Sequence, residues 1–221
     1  MTTPFRLDSK NAVVTGAGSG IGKAIAELFA AQGASLFIID RDEPAARATV
    51  DVIRDASGRA ELAVVDVSDE GAVLALARGL PAVHIDILVA NAGIGHVGDL
   101  LKTTAADLDR LYAVNVRGVF NCCKAFAPAM IERGSGDILI VASTASLQAV
   151  PYQTAYAATK AFDLIFAEGI AEEVKRFGVR VCALCPGQTR TEFHAIANEP
   201  IPEVMSVHSA EQEYDAAFPR W

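Results

Sequence analysis

The stretch Thr15-Gly16-Ala17-Gly18-Ser19-Gly20-Ile21-Gly22 decides the fold through what flanks it. Before it runs Asn11-Ala12-Val13-Val14, a short apolar strand, and after it Lys23-Ala24-Ile25-Ala26-Glu27-Leu28-Phe29 carries apolar residues at helical spacing. Strand, glycine turn and helix together aim backbone N–H groups and the positive end of a helix at a phosphate, and side chains in the turn would block its approach. Gly16, Ser19, Gly20, Ile21 and Gly22 are therefore the expected phosphate contacts. Glycines at 16, 20 and 22 read G-x-x-x-G-x-G, a spacing that departs from the G-x-G-x-x-G fingerprint. Asp40 closes the next apolar run, Ser35-Leu36-Phe37-Ile38-Ile39, about 20 residues on, where an acid can accept hydrogen bonds from an adenosine ribose. The whole unit predicts nucleotide binding.

At 221 residues the chain reads as one domain over 1–221, large enough to bury a substantial core. A hydrophobic fraction of 52% and a mean hydropathy of +0.29 argue against disorder. The longest apolar runs, such as Ile138-Leu139-Ile140-Val141-Ala142, are too short to cross a bilayer, so no membrane association is expected. Met1-Thr2-Thr3-Pro4-Phe5-Arg6 lacks the apolar stretch of a signal peptide, and a cytoplasmic location is the expectation. A formal charge of −8 opposes binding to nucleic acid or anionic lipid. Cys182 and Cys185 form a C-x-x-C on an apolar strand, where residues three apart face opposite ways. Cys122 and Cys123 are adjacent on a helix and point apart. Buried thiols, without metal or disulfide, are expected.

Strand-like runs fall at 11–15, 35–40, 61–66, 85–90, 137–143 and 179–184, with amphipathic helices at 20–32, 42–56, 69–79, 104–132 and 153–176. This alternation predicts right-handed crossovers and a parallel sheet with helices on both faces. Continuously apolar runs suit doubly buried strands. Two long helices, opened by Thr104 and Gln153, spread apolar residues over more than one face, so part of each is expected to pack on another subunit. Ligands of such sheets bind beyond the carboxyl ends of the strands, where Asp40, Asp66-Val67, Asn91-Ala92-Gly93, Ser143 and Pro186-Gly187 stand.

Tyr156 and Lys160 are four apart on an alanine-rich helix and share one face. A phenol is a poor base at neutral pH, with a reference pKa of about 10, and shifting one by about two units takes about 2.7 kcal/mol. A single ammonium about 4 Å away, at an effective dielectric near 20, supplies about 4 kcal/mol. Tyr156 can then exchange a proton with a substrate oxygen, which Ser143 at a strand end can hydrogen-bond. Taken alone, these residues read first as a surface Tyr–Lys pair and a strand-end serine. Their order reverses that reading.

From residue 7 to about 193 the chain resembles the short-chain dehydrogenase/reductase family, through Thr15 to Gly22, Asp66-Val67, Asn91-Ala92-Gly93, Asn115, Ser143, Tyr156 to Lys160, and Pro186-Gly187 followed by Thr189 and Thr191. The resemblance implies a single α/β domain with a Rossmann-type doubly wound parallel sheet in the order 3-2-1-4-5-6. It implies an NAD(P)-dependent oxidoreductase that passes hydride between a nicotinamide and a secondary alcohol or ketone. Tyr156 would be the acid/base and Ser143 would polarise the substrate oxygen. Lys160 would hold the nicotinamide ribose and favour the phenolate, and Asn115 would hold a water continuing a proton relay. Asp40 favours NAD over NADP, because a carboxylate repels a 2′-phosphate; Arg41 follows and could pair with such a phosphate, but Asp40 would still oppose it. Asp66 is expected at the adenine edge, with capping of the following helix as its competing role.

After Pro186 the family pattern weakens: 187–221 reads as an atypical tail without a further strand, leaving a shortened C-terminal end and an uncovered sixth strand. Small-molecule substrate contacts are expected from His96, Gln148, Gln153, Phe193 and His194. The alternatives are an NADPH-dependent 3-oxoacyl thioester reductase, a nucleotide-binding protein whose short tail impairs catalysis, and a scaffold that keeps only the fold. A homodimer through 104–132 and 153–176 is expected, with a tetramer as the larger assembly.

Overall fold

Six parallel strands run in the order β3-β2-β1-β4-β5-β6. The structure, a computed structural model, describes residues 6–80, 84–187 and 189. The elements are β1 (Asn11–Thr15), α1 (Gly20–Ala31), β2 (Ser35–Asp40), α2 (Glu43–Asp55), β3 (Arg59–Val64), α3 (Glu70–Gly79) and β4 (Ile87–Ala90). They continue with α4 (Ala105–Leu111), a π-helical segment (Tyr112–Gly118), α5 (Val119–Arg133), β5 (Gly136–Val141), a 3-10 turn (Thr144–Ser146), α6 (Thr154–Lys175) and β6 (Val179–Leu184). The order places the reversal point between β1 and β4, so the loops after both strands open at the same end of the sheet.

Alternate strand residues feed two cores. Val14, Leu36, Ile38 and Val89 pack with Ile25, Phe29, Val50 and Ile53 of α1 and α2. Val13, Phe37, Leu88 and Ile140 turn the other way, against Val73, Phe126, Met130 and Ala167 of α3, α5 and α6. The expected three layers are present. Continuous burial holds for β4 throughout and for the centres of β1, β2 and β5, but not for β3, where Arg59, Glu61 and Val64 are exposed because it is an edge strand. That strand also starts earlier, at Arg59, and leaves the ladder before Asp66.

The helix read as 104–132 is three pieces. Its start is as expected: Thr104 and Asp107 form a reciprocal capping box. A π-helical segment then carries Asn115, wholly buried, at its centre. An extra residue in the helical ladder is how a side chain is re-aimed without breaking the helix. Nothing in the apolar spacing announces it. In the same segment Gly118 lies so near Val67 that a Cβ would stand 2.7 Å from its Cγ2. The strand read as 137–143 ends at Val141, and Ser143 becomes the cap of the 3-10 turn, its Oγ accepting from the Ala145 amide at 3.1 Å.

All four cysteines are free. Cys122 and Cys123 are buried, and burial pushes the Cys122 thiol up to about 12. Cys182 and Cys185 are only half-buried, contrary to the fully buried strand expected, since β6 is the other edge of the described sheet. No helix among the described residues is long and apolar enough to cross a membrane. Most of the tail that the sequence marks as atypical, including Thr191, Phe193 and His194, lies outside the described residues.

Candidate active site

The glycine turn is shaped by close backbone approach. Gly16 has φ +66°, and a Cβ there would meet the Ala92 Cα at 2.7 Å. A Cβ on Gly22 would overlap the Asn91 amide nitrogen and the Gly16 carbonyl. Both positions need glycine because two loops share the space. Thr15, 1% exposed, ties those loops together: its Oγ1 accepts from the Asn91 and Ala92 amides, each at 3.0 Å, and donates to the Val89 carbonyl at 3.3 Å. The Asn91 side chain returns the bond, donating to the Thr15 and Gly16 carbonyls at 2.9 and 3.1 Å. Asn91-Ala92-Gly93 is thus a brace for the glycine turn. Beyond it, Ser19 caps α1 without a side-chain bond and no acid stands in the first turn, which leaves that helix end suited to an anion.

Asp40 reaches the same turn. Its Oδ2 accepts from the Gly18 amide at 2.9 Å and its Oδ1 from the Asp42 amide at 3.0 Å. Each oxygen keeps a second lone pair for a ribose hydroxyl. Arg41 lies 3.9 Å from Asp66, an exposed pairing. Burial pushes the Asp66 carboxyl upward, but bonds from Ser68 and the charges of Arg41 and Arg117 outweigh it and hold it below its ordinary range. Asp66 accepts the Ser68 amide at 2.9 Å, whereas the cap of α3 is Asp69, which accepts from Ala72. The competing role read for Asp66 therefore belongs to Asp69. Val67 faces the core, and its carbonyl accepts from Asn121 at 2.9 Å.

At the carboxyl ends of β4, β5 and β6 a second cluster forms. Lys160, 4% exposed, donates through Nζ to the Val141 carbonyl at 2.8 Å and to Asp163 Oδ2 at 3.0 Å. Ser146 clamps helix to strand end: its Oγ donates to the Lys160 carbonyl at 2.7 Å and accepts from the Ser143 amide at 3.2 Å. Ser143 and α6 are therefore fixed relative to one another. Tyr156, in the first turns of α6, is buried with Leu111, Ala145 and Ala157. Asn115 accepts from the Ile94 amide at 2.9 Å and donates to the Ile94 carbonyl and to Thr159 Oγ1, each at 3.0 Å. A Cβ on Gly93 would stand 3.4 Å from Lys160 Nζ and 3.5 Å from Asn115 Oδ1, so these groups converge on the β4 loop. Pro186 joins through its carbonyl, which accepts from the Thr144 amide at 2.8 Å; Thr189 Oγ1 donates to the Gly187 carbonyl at 3.2 Å.

Lys160 feels burial first, which lowers an ammonium, but Asp163, with Tyr156 and Cys185 adding to it, outweighs burial and the ammonium is held up. Asp163, 0% exposed, is pushed up by burial, with Lys160 opposing.

The residues read as substrate contacts are less gathered. His96 Nε2 is held 3.0 Å from Thr103 Oγ1 within its own loop. Gln148 is exposed, and Gln153 is half-buried at the cap of α6. That cap loop is itself pinned: the Tyr152 carbonyl accepts from the Gly98 amide at 2.7 Å, with Tyr152 at φ +65°, a strained value for a residue with a side chain. Sequence reading gave no role to Thr15, Ser146, Thr159 or Asp163. Only Asp163 left a signal, an acid one turn beyond Lys160 on an apolar helix.

The short chain dehydrogenase family model matches residues 10–201. Over 185 residues, 82% of this chain, the sequence is 41% identical to the probable oxidoreductase EphD of Mycobacterium tuberculosis; the match spans 31% of that protein, so the chain covers about a third of its length. A short-chain dehydrogenase/reductase from Burkholderia phymatum, solved with NAD, is 32% identical with a TM-score of 0.83, covering 96% of this chain and 80% of the other. A short-chain dehydrogenase from Sphingobium yanoikuyae, solved with NADPH, is 31% identical with a TM-score of 0.89, covering 95% and 83%. With the sheet order and the family match in agreement, the chain belongs to the short-chain dehydrogenase/reductase family of oxidoreductases.

Proposed function

We propose that the chain is an NAD-preferring oxidoreductase acting on a secondary alcohol or its ketone, with Tyr156 as acid/base. The observation that carries this is the Ser143–Ser146–Lys160 clamp, which holds the helix of Tyr156 and Lys160 against the strand-end serine. A dinucleotide fits the residues present. The glycines at 16 and 22 let the turn pack closely on the β4 loop, and the end of α1 carries no acid that would compete with an anion. In this reading Gly16, Ser19, Gly20, Ile21 and Gly22 hold the pyrophosphate, and Asp40 takes the adenosine ribose. Asp66 and Val67 border the adenine; Asn91, Ala92, Gly93, Pro186, Gly187 and Thr189 line the remainder.

A nicotinamide held there would supply hydride transfer to or from the substrate carbon. The side chains manage position and the proton. Ser143 donates a hydrogen bond to the substrate oxygen, and Tyr156 takes the hydroxyl proton in oxidation or returns it in reduction. The Lys160 ammonium favours the phenolate and binds the ribose through the one N–H not spent on Val141 and Asp163. Both amide hydrogens of Asn115 are spent on Ile94 and Thr159, so its side-chain nitrogen has no hydrogen left to donate to a relay water.

In this reading NAD is preferred because the Asp40 carboxylate, which reaches the glycine turn, would repel a 2′-phosphate. Titrating protein fluorescence with NADH and NADPH tests this, with at least tenfold tighter NADH binding expected; equal or tighter NADPH binding overturns it. Tyr156→Phe tests the chemistry: NADH binding persists while turnover across an alcohol and ketone panel falls by at least a thousandfold. Unchanged turnover sinks the assignment. The exposed apolar residues Leu108, Tyr112, Phe120 and Ile165, with Phe162 stacked on Phe166 at 5.3 Å, suit a homodimer through the two long helical stretches.

A further inference from the structure

Asp163 is a buried charge that the chemistry above does not use. It has 0% exposure, and among the described residues its ionic partner is Lys160, 3.0 Å from Oδ2, while Oδ1 has no hydrogen-bond partner. A buried carboxylate with an unsatisfied oxygen is costly to keep, and an apolar side chain of similar size would pack there without that cost. Its placement fits a task at Lys160. Asp163 lies one turn further along α6, so Lys160 is held between Asp163 on one side and the β4 loop at Gly93 on the other.

We propose that Asp163 is a positioning residue that sets the working pH of the site: it anchors the Lys160 ammonium and offsets its charge, so that Tyr156 holds its proton to higher pH. This rests on Tyr156 being the acid/base. Tyr156 and Asp163 are seven residues apart on one helix, two turns, and so about 10 Å along the axis and on the same face. A full charge at about 10 Å in a medium of effective dielectric near 20 moves a titration by about one pH unit. An ammonium with its counter-ion in contact acts on the phenol as a dipole, weaker than a lone cation. The other titratable groups facing the pair are Cys123 from α5 and Cys185 after β6, with Glu168 acting on Cys185. Burial pushes both thiols above their ordinary range, further from neutral pH. Asn115, which meets the same Gly93 position as Lys160, carries no charge.

The test has two readouts. In alcohol oxidation, kcat/KM rises with pH along a limb set by the base. Asp163→Asn and, as a second neutral replacement, Asp163→Val should each move that midpoint down by about one unit, while Asp163→Glu restores it towards wild type. In the protein without cofactor, NMR of 13Cζ-labelled tyrosine follows Tyr156 directly, its signal identified by loss in Tyr156→Phe. That signal should ionise about one unit lower in the neutral variants, with exposed Tyr112 and Tyr152 unmoved as internal controls. A merely structural role for Asp163 lowers stability without shifting one tyrosine alone. Unchanged or upward midpoints in folded neutral variants overturn the proposal. Full turnover in Tyr156→Phe overturns the acid/base reading instead, and the NMR titration then still reports separately whether Asp163 acts on the phenol.

Discussion

Replacing Thr15 by valine keeps the shape of the side chain and deletes its hydroxyl, which isolates the brace between the glycine turn and the β4 loop. Thr15 is 1% exposed, and its hydroxyl accepts from the Asn91 and Ala92 amides, both at 3.0 Å. Leaving a buried donor unpaired costs about 1–3 kcal/mol. Two such amides set an upper range of about 2–6 kcal/mol, and partial exposure of residues 91 and 92 lets water recover some of it. The valine methyl also gains a little by burial. The expected net loss is about 2–4 kcal/mol. With a urea dependence of about 2–3 kcal/mol per molar, the unfolding midpoint falls by about 1 M. Thr15→Ser, which keeps the hydroxyl and loses a methyl, should cost only about 1 kcal/mol. NADH affinity should fall in the valine variant and hold in the serine one, since the turn's geometry depends on the hydroxyl. A valine variant within about 0.5 kcal/mol of wild type, with serine the worse of the two, refutes the reasoning: methyl packing rather than the shared hydroxyl would then hold the loops.

Three further outcomes rest on the same geometry. Gly22→Ala drives a Cβ into the Asn91 amide and the Gly16 carbonyl, so NADH binding measured by fluorescence should weaken at least tenfold; a variant binding as wild type would show that the turn relaxes freely. Asp66 and Asp107 sit below the ordinary carboxyl value of 3.8, so the stability they contribute is complete above about that pH and is lost as pH falls through their depressed values. Urea midpoints should therefore hold from pH 7 to about 5 and decline below about 4, less steeply in Asp66→Asn and Asp107→Asn. Ile165 is 66% exposed on α6, so Ile165→Asp should convert a dimer to monomer in light scattering without changing the circular dichroism spectrum; a wild-type monomer would contradict the interface.

Local chemistry made much of this protein readable from its residues. A glycine turn between an apolar strand and an amphipathic helix, and an acid closing the next strand, are short-range arrangements whose consequences come from backbone geometry. Alternation of strand-like runs and helices determined a parallel sheet, because crossovers between parallel strands have one hand and need a covering layer. Tyr156 and Lys160 could be paired on one face by helical spacing alone. Other features required the fold. Thr15 is an ordinary strand residue until β1 and β4 pair and bring residues 91 and 92 to its hydroxyl. The π-helical segment around Asn115 has no periodic signature, since it exists to let one amide reach Ile94 and Thr159, distant in sequence. That Asp40 also ties the glycine turn depended on where Gly18 came to lie. The burial of Asp163 beside Lys160 arises only when α6 closes on the sheet, since a charge's surroundings are set by every element packed around it rather than by its neighbours along the chain.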